Sequence, residues 1–249
     1  MRLRNACKRL YFVPIGGTAL GTGIDADKNF GRMVVSHLRS DTGFPFQLNP
    51  VKAEGIASHA AIVETSGALR SLALSTLKMA NDIRWMGSGP RAGLGELILP
   101  PNELGSSIMP GKVNPTQAEA LIQVCMQVMG NDTTISLAEG FGSTLDLNVA
   151  KPLMIVNLLD SINILANGIN SFIDKCLKDL RANIEQINAQ LERNLMVVTR
   201  LVPILGYDKA SEIAEKASNS GKTIKEVVLE MGLKIKVDLD ELLDPKKMA

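Results

Sequence analysis

Apolar residues recur along the second half of the chain with a helical period. Between Ile155 and Leu180 they step alternately by four and three residues, through Ile155, Leu159, Ile162, Ala166, Ile169, Ile173, Cys176 and Leu180. This heptad seam is typical of helices that pack nearly parallel in a long bundle. A second stripe, formed by Leu158, Leu165 and Phe172, means that the helix needs packing partners on more than one side. We therefore expect a homo-oligomer.

Two further long helices are predicted before this one. The first covers Gly55 to Met86, and the second begins at Pro115. No segment is rich in strand signals. Beyond about residue 180 the charge density rises and short helical patterns are separated by Gly and Pro. The predicted fold is all-α, with a long-helix bundle domain over residues 1–180 and a small helical C-terminal domain over residues 181–249.

The composition argues against several functional classes of protein. The net charge is +1, and six Phe, two Tyr and one Trp are the only aromatic residues, so neither nucleic acid nor an anionic membrane is the expected partner. The apolar stretch 152–173 contains several Asn residues, and we expect a buried helix and no membrane span. The N-terminus lacks a signal-peptide pattern. Three widely spaced cysteines predict reduced thiols in a cytoplasmic protein, with no disulfide framework and no metal site.

One segment carries most of the candidate chemistry: GSSIMPGKVNPTQ, residues 105–117. Asn114, Pro115 and Gln117 match an N-cap, a first helical position and a capping box. Lys112 and Asn114 would then lie at the positive end of a long helix, where a carboxylate binds well. A serine near such a cationic site has its alkoxide form favoured, so Ser106 is a candidate base or nucleophile.

This segment, with VCMQVMGND after it, resembles the signature loop of the class II fumarases in the fumarase/aspartase superfamily. The resemblance continues through GGTALGTGID (16–25), ANDIRWMGSGPRAGLGEL (80–97) and NLMVVTRLVPILGYDKASEIAEKA (194–217). It implies a helical-bundle lyase that hydrates fumarate reversibly to (S)-malate in the tricarboxylic acid cycle, with no metal or organic cofactor. Alternatives are an aspartate ammonia-lyase of the same superfamily and a non-catalytic oligomeric bundle.

The resemblance also implies residue roles. Ser106 matches the serine that removes the C3 proton of malate, and Ser107 matches a neighbour that contacts the substrate. Lys112, Val113 and Asn114 match the segment that binds the substrate carboxylates. Positive groups placed there would stabilise the aci-carboxylate dianion that forms when the proton leaves.

Glu119 matches a glutamate that pairs with an active-site histidine in the family, and we expect it to be a catalytic residue with Ser106. The family's upstream Ser-Ser-Asn and Thr-His regions have no counterpart in this sequence, because His37 and His59 lie in other contexts. The resemblance implies a tetramer whose active sites combine regions from three subunits. Two explanations stay open: a separate N-terminal half completes the site, or the chain packs differently and is inactive.

Overall fold

Long helices dominate the computed structural model, which describes residues 2–248. The α-helices are α1 (Arg2–Ala6), α2 (Phe30–Thr42), α3 (Lys52–Ala57), α4 (Ala60–Met86), α5 (Thr116–Gly142), α6 (Lys151–Phe172), α7 (Ile184–Glu192), α8 (Val202–Leu205), α9 (Tyr207–Ser220), α10 (Ile224–Glu230) and α11 (Leu239–Leu242). Helix α6 continues into a π turn, Ile173–Leu177, and 3-10 turns cover Cys7–Tyr11, Leu195–Leu201 and Pro245–Lys247.

The strands are six two-residue pieces that form three separate pairs. They are β1 (Phe12–Val13), β2 (Gln47–Leu48), β3 (Leu97–Ile98), β4 (Ser143–Thr144), β5 (Leu147–Asn148) and β6 (Arg181–Ala182). Strands β1 and β2 pair in parallel, whereas β3–β6 and β4–β5 are antiparallel. Because each pair is only two residues long, the described residues form an all-α architecture, as the sequence predicts.

The chain divides into two compact units. The first contains Met1–Gly87 and Leu99–Leu180, and the second contains Ser88–Ile98 and Arg181–Ala249. The segment Ser88–Ile98 belongs to the second unit because β3 pairs with β6 and because Gln186 and Gln190 donate to the carbonyl of Leu94. The sequence analysis assigned this segment to the bundle domain.

The core of the first unit is the antiparallel packing of α4, α5 and α6. Its fully buried side chains include Ala73 and Ala80 on α4, Leu121 and Ile135 on α5, and Met154, Leu165 and Phe172 on α6. Small residues allow close approach of the helices. At Gly168 on α6 the two helices approach so closely that a Cβ atom would lie only 3.3 Å from Val124 Cγ1 on α5. Glycine therefore allows α5 and α6 to pack closely at this point.

A buried polar network fixes how these three helices align. Asp132 on α5 accepts hydrogen bonds from Ser66 Oγ at 2.7 Å and from Arg70 Nη1 at 2.8 Å, both on α4. Its neighbour Asn131 donates to Ser161 Oγ and to Asp160 on α6, at 3.1 Å each. Since a sliding of either neighbouring helix would leave buried polar atoms unpaired, the network favours one register.

The predicted helix from Gly55 to Met86 is wrong in one respect, because two helices occupy this range. Helix α3 ends at Ala57, and α4 begins at Ala60. A side chain of another helix stabilises the break. Glu139 on α5 accepts hydrogen bonds from Ser58 Oγ at 2.8 Å and from the His59 amide at 2.9 Å. This carboxylate therefore satisfies the start of α4 in the way that a capping side chain does.

Helix α6 buries a different stripe from the heptad seam. Met154, Leu158, Ser161, Leu165 and Phe172 face the interior of the chain. Most of the seam lies outside: the exposed fractions are 42% for Ile155, 51% for Leu159, 40% for Ile162 and 40% for Ile173. Lys151–Leu177 is also the one helical stretch of the described residues that is long and apolar enough to cross a membrane on length and composition alone, a test that core helices of soluble proteins pass as well.

The second unit has its own apolar core. Val197, Leu201, Ile213, Ile224 and Val227 are buried together in it. Helix α10 begins with a complete capping box, in which Thr223 and Glu226 bond each other's backbone amides. Hydrogen bonds from the Thr223 amide and hydroxyl lower the pKa of Glu226 from its ordinary value.

Candidate active site

The signature loop is residues 99–115, which connect β3 to α5. Five of the six predicted site residues lie on it, and the sixth, Glu119, lies in the first turn of α5. The loop closes on itself through backbone and side-chain hydrogen bonds. The Gly105 amide donates to the Lys112 carbonyl at 3.1 Å, and Asn114 Nδ2 donates to the Gly105 carbonyl at 2.7 Å. These bonds bring the serine pair next to the Lys112–Asn114 segment.

Gly105 is required by close approach of the backbone. A Cβ at this position would lie 2.1 Å from the Lys112 carbonyl oxygen and 2.6 Å from its carbon. No side-chain rotation relieves a clash with backbone atoms, so only glycine allows the two arms of the loop to pair here.

Of the predicted site residues, Ser106 has the side chain with the most hydrogen bonds in the loop. Its hydroxyl oxygen, half-buried in the loop, accepts hydrogen bonds from the backbone amides of Ile108 and Met109, at 3.1 Å each. Two N–H donors directed at one oxygen stabilise negative charge on that oxygen. The local turn therefore holds the Ser106 hydroxyl oxygen beside two backbone N–H donors.

The predicted capping box at the start of α5 is wrong. The residue that precedes the helix is Pro115, and no side chain caps it. Asn114 instead uses its amide to hold the loop, and Gln117 accepts a hydrogen bond from Ser171 Oγ on α6 at 3.0 Å. Both side chains bond to distant parts of the chain, which local capping statistics do not consider.

The remaining site residues are open to solvent in this chain. Ser107 and Lys112 are exposed, Val113 is 46% exposed, and Asn114 and Glu119 are half-buried. Within residues 2–248, the Glu119 side chain makes no hydrogen bond or ion pair. The exposed Lys112 ammonium therefore borders an open face of the loop.

The two histidines lie away from the signature loop. His37 is exposed on α2, and His59 is the residue that precedes α4. Nδ1 of His59 is buried without a hydrogen-bond partner among the described residues and lies 4.0 Å from Glu139 Oε2. Burial lowers the pKa of His59, and the nearby Glu139 carboxylate opposes that effect only in part.

A cavity of about 710 Å³ also lies in the first unit, beside the α3–α4 junction. His59, Lys151 and Arg9 line it, and no residue of the signature loop does. This cavity is therefore separate from the predicted site. Two backbone donors converge on Ser106 in the signature loop, whereas Arg9 in the cavity is paired with Glu64. No group of three His, Cys, Asp or Glu side chains arranged for a metal occurs in residues 2–248.

Comparison with known proteins decides the family. A profile described as "Lyase" matches residues 1–130, and one described as "Fumarase C C-terminus" matches residues 197–249. The chain belongs to the lyase family of the class II fumarases. It is 49% identical over 247 residues to the mitochondrial fumarate hydratase of Dictyostelium discoideum, covering 99% of this chain and 51% of that protein. It is 52% identical over 227 residues to the class II fumarate hydratase of Thermosynechococcus vestitus, covering 91% and 48%.

Solved structures agree with this membership. A class II fumarase from Schistosoma mansoni aligns with a TM-score of 0.90 at 36% identity, covering all of this chain and 55% of that one. A fumarate lyase/delta crystallin from Brucella melitensis aligns with a TM-score of 0.94 at 39% identity, covering 100% and 54%. The chain thus spans about half the length of the relatives that it matches.

Sequence reasoning missed two parts of this site. One is the pair of amides on Ser106, which depends on the backbone conformation of residues 106–109. The other is Asn102, which donates to the carbonyl of Lys175 at 2.9 Å. An asparagine among prolines at the start of a loop is a signal that could have indicated an anchoring role.

Proposed function

We propose that this chain carries the serine loop of a fumarate hydratase, which adds water reversibly to fumarate to give (S)-malate. The observation that carries the proposal is the Ser106 hydroxyl oxygen with two backbone N–H donors, in a chain of the class II fumarase family. In the dehydration direction, the Ser106 alkoxide takes the C3 proton of malate. The carbon keeps the electron pair, and the adjacent carboxylate becomes an aci-carboxylate dianion.

The rest of the loop stabilises this intermediate. Ser107, Lys112, Val113 and Asn114 are proposed to bind the substrate carboxylates, with the Lys112 ammonium supplying the positive charge. The C2–O bond then breaks, and the hydroxyl leaves as water with a proton from a general acid. Asn114 Nδ2 donates to the Gly105 carbonyl, and we expect the amide to exchange this bond for one to a substrate oxygen.

The complete site is proposed to need more than these 249 residues. The Ser-Ser-Asn and Thr-His regions that the resemblance implies are absent from the sequence, and Glu119 would pair with the histidine of the second region. We propose that the part of the relatives' length that this chain does not span supplies both, and that the assembled protein is a cytoplasmic homo-oligomer, a tetramer by resemblance. No metal or organic cofactor is invoked in the proposed reaction.

The test is fumarate formation from (S)-malate, followed by ultraviolet absorbance. The purified chain is assayed alone and together with the N-terminal half of the Dictyostelium relative. We expect turnover only in the mixture, and its loss by at least about 10³-fold in Ser106→Ala. Ser136→Ala, at an exposed serine on α5, is the matched control and should keep full activity.

The alternatives predict different results. Ammonia release from L-aspartate without malate turnover would identify an ammonia-lyase. Turnover that survives Ser106→Ala would disprove the role of this serine. A mixture that assembles and turns over neither substrate would favour the non-catalytic bundle.

A further inference from the structure

The start of the signature loop and the first turn of α5, which follows the loop, are attached to the same place, the C-terminal end of α6 and its π turn. Before the serines, Asn102 Nδ2 donates to the carbonyl of Lys175 at 2.9 Å. After them, Ser171 Oγ donates to Gln117 Oε1 at 3.0 Å. Ser171 and Lys175 are four residues apart, so they lie on one face of the helix end. The loop is therefore anchored to the end of α6 directly through Asn102 and, after the serines, through the first turn of α5.

The π turn explains why the Lys175 carbonyl is available. Within the turn the Lys178 amide donates to the Ile173 carbonyl, and the Leu180 amide bonds Leu177 as the helix ends. If the π turn continued, the Leu180 amide would donate to the Lys175 carbonyl. The last carbonyls of a helix have no partner within the helix and must be satisfied from outside. The Asn102 amide fills this role for Lys175.

We propose that Asn102 is a positioning residue for the signature loop: its amide, bonded to the Lys175 carbonyl, fixes the arm that carries Ser106. Asn102 touches no reacting atom in this proposal. It also donates to the Pro100 carbonyl at 3.3 Å, so one side chain joins the start of the loop to the helix end. The proposal rests on the proposed function only in taking Ser106 as the reacting group.

The experiment is backbone hydrogen exchange of the whole chain, read on fragments that contain Gly105, Ile108 and Met109. Their amides bond the Lys112 carbonyl and the Ser106 hydroxyl, so they report loop closure directly. In Asn102→Ala we expect exchange in this fragment to rise about fivefold, the factor for losing one hydrogen bond of ordinary strength. Exchange in the middle of α5 should not change.

Two further variants separate the hydrogen bond from other effects. Asn102→Asp keeps the shape of the side chain but lacks the N–H donor, and it should loosen the loop as much as Ala does. Asn219→Ala, at an exposed asparagine on α9, is the matched control and should change nothing in the loop. Unchanged loop exchange in both Asn102 variants overturns the proposal, and so does an effect of Ala without one of Asp.

Activity gives a second, separate measurement. In the mixture with an N-terminal half, Asn102→Ala should lower kcat about tenfold and leave KM within about twofold, because the arm with Ser106 is misplaced while Lys112, Val113 and Asn114 remain next to α5. An unchanged kcat in a mixture that turns over also overturns the proposal. Absence of turnover in the unmodified mixture would instead count against the proposed function, and hydrogen exchange would still decide the role of Asn102.

Discussion

At the scale of single residues, Gly105 makes a sharp prediction. Its missing Cβ leaves room for the Lys112 carbonyl, so Gly105→Ala should separate the two arms of the loop. We expect trypsin to cut after Lys112 at least about fivefold faster, because cleavage needs an opened loop and one closing hydrogen bond is lost. Gly130→Ala is the control, since a Cβ there meets nothing within 4 Å. Equal cleavage rates in the two variants would contradict this explanation.

The same loop shows what a sequence can predict about single residues. The types and spacing of Ser106, Lys112 and Asn114 indicated candidate chemistry, because a serine, a cation and an amide gather before a helix, and the resemblance to the class II fumarases supplied the roles. The partners of these residues were not predictable. Asn114 bonds a carbonyl nine residues earlier, and Ser106 is held by two amides whose direction depends on the folded backbone. Capping statistics describe only neighbours within a turn.

At the scale of secondary-structure elements, the start of α4 depends on Glu139. Its carboxylate bonds Ser58 Oγ and the His59 amide, and it accepts a third hydrogen bond from Asn148 Nδ2 at 3.2 Å. Glu139→Ala should lower the free energy of unfolding by about 2 kcal/mol, since a helix cap and charge-assisted hydrogen bonds are lost. Urea denaturation followed by helical circular dichroism measures this change.

A matched carboxylate elsewhere tests whether the effect is specific. Asp41→Ala, at an exposed position on α2, should change the unfolding free energy by no more than about 0.5 kcal/mol. If Glu139→Ala is as stable as the unmodified chain, solvent satisfies the start of α4 equally well and the capping role is wrong.

The helix break at Ser58 and His59 also explains one limit of the sequence analysis. Neither residue is Gly or Pro, and the apolar pattern continues across them, so a single helix was the reasonable prediction. The break is produced by a carboxylate about 80 residues further along the chain. Long elements such as α5 and α6 were predictable from periodicity, whereas an interruption fixed by tertiary contact was not.

At the scale of the whole molecule, the two stripes of α6 have separate roles. The periodicity of the sequence predicted both apolar stripes, but it did not indicate which stripe would be buried within this chain. The structure buries the stripe with Leu158, Leu165 and Phe172 against α5 and leaves most of the heptad seam outside. A long apolar seam open to water is costly and typically marks a surface that another chain covers. The same seam accounts for the membrane-like hydropathy of this helix.

We therefore expect Leu159 to lie at an interface between chains. Leu159→Glu places a charge in the seam and should convert the oligomer to smaller species, measured by light scattering after size-exclusion chromatography. Leu229→Glu is the control, because Leu229 is 65% exposed on α10 and outside the seam, and this variant should keep the native mass. A chain that is monomeric before mutation, or an oligomer that tolerates Leu159→Glu, would show that the seam is not the assembly surface. Retention of the helix in detergent micelles, with no self-association in water, would instead favour a lipid-facing role for α6.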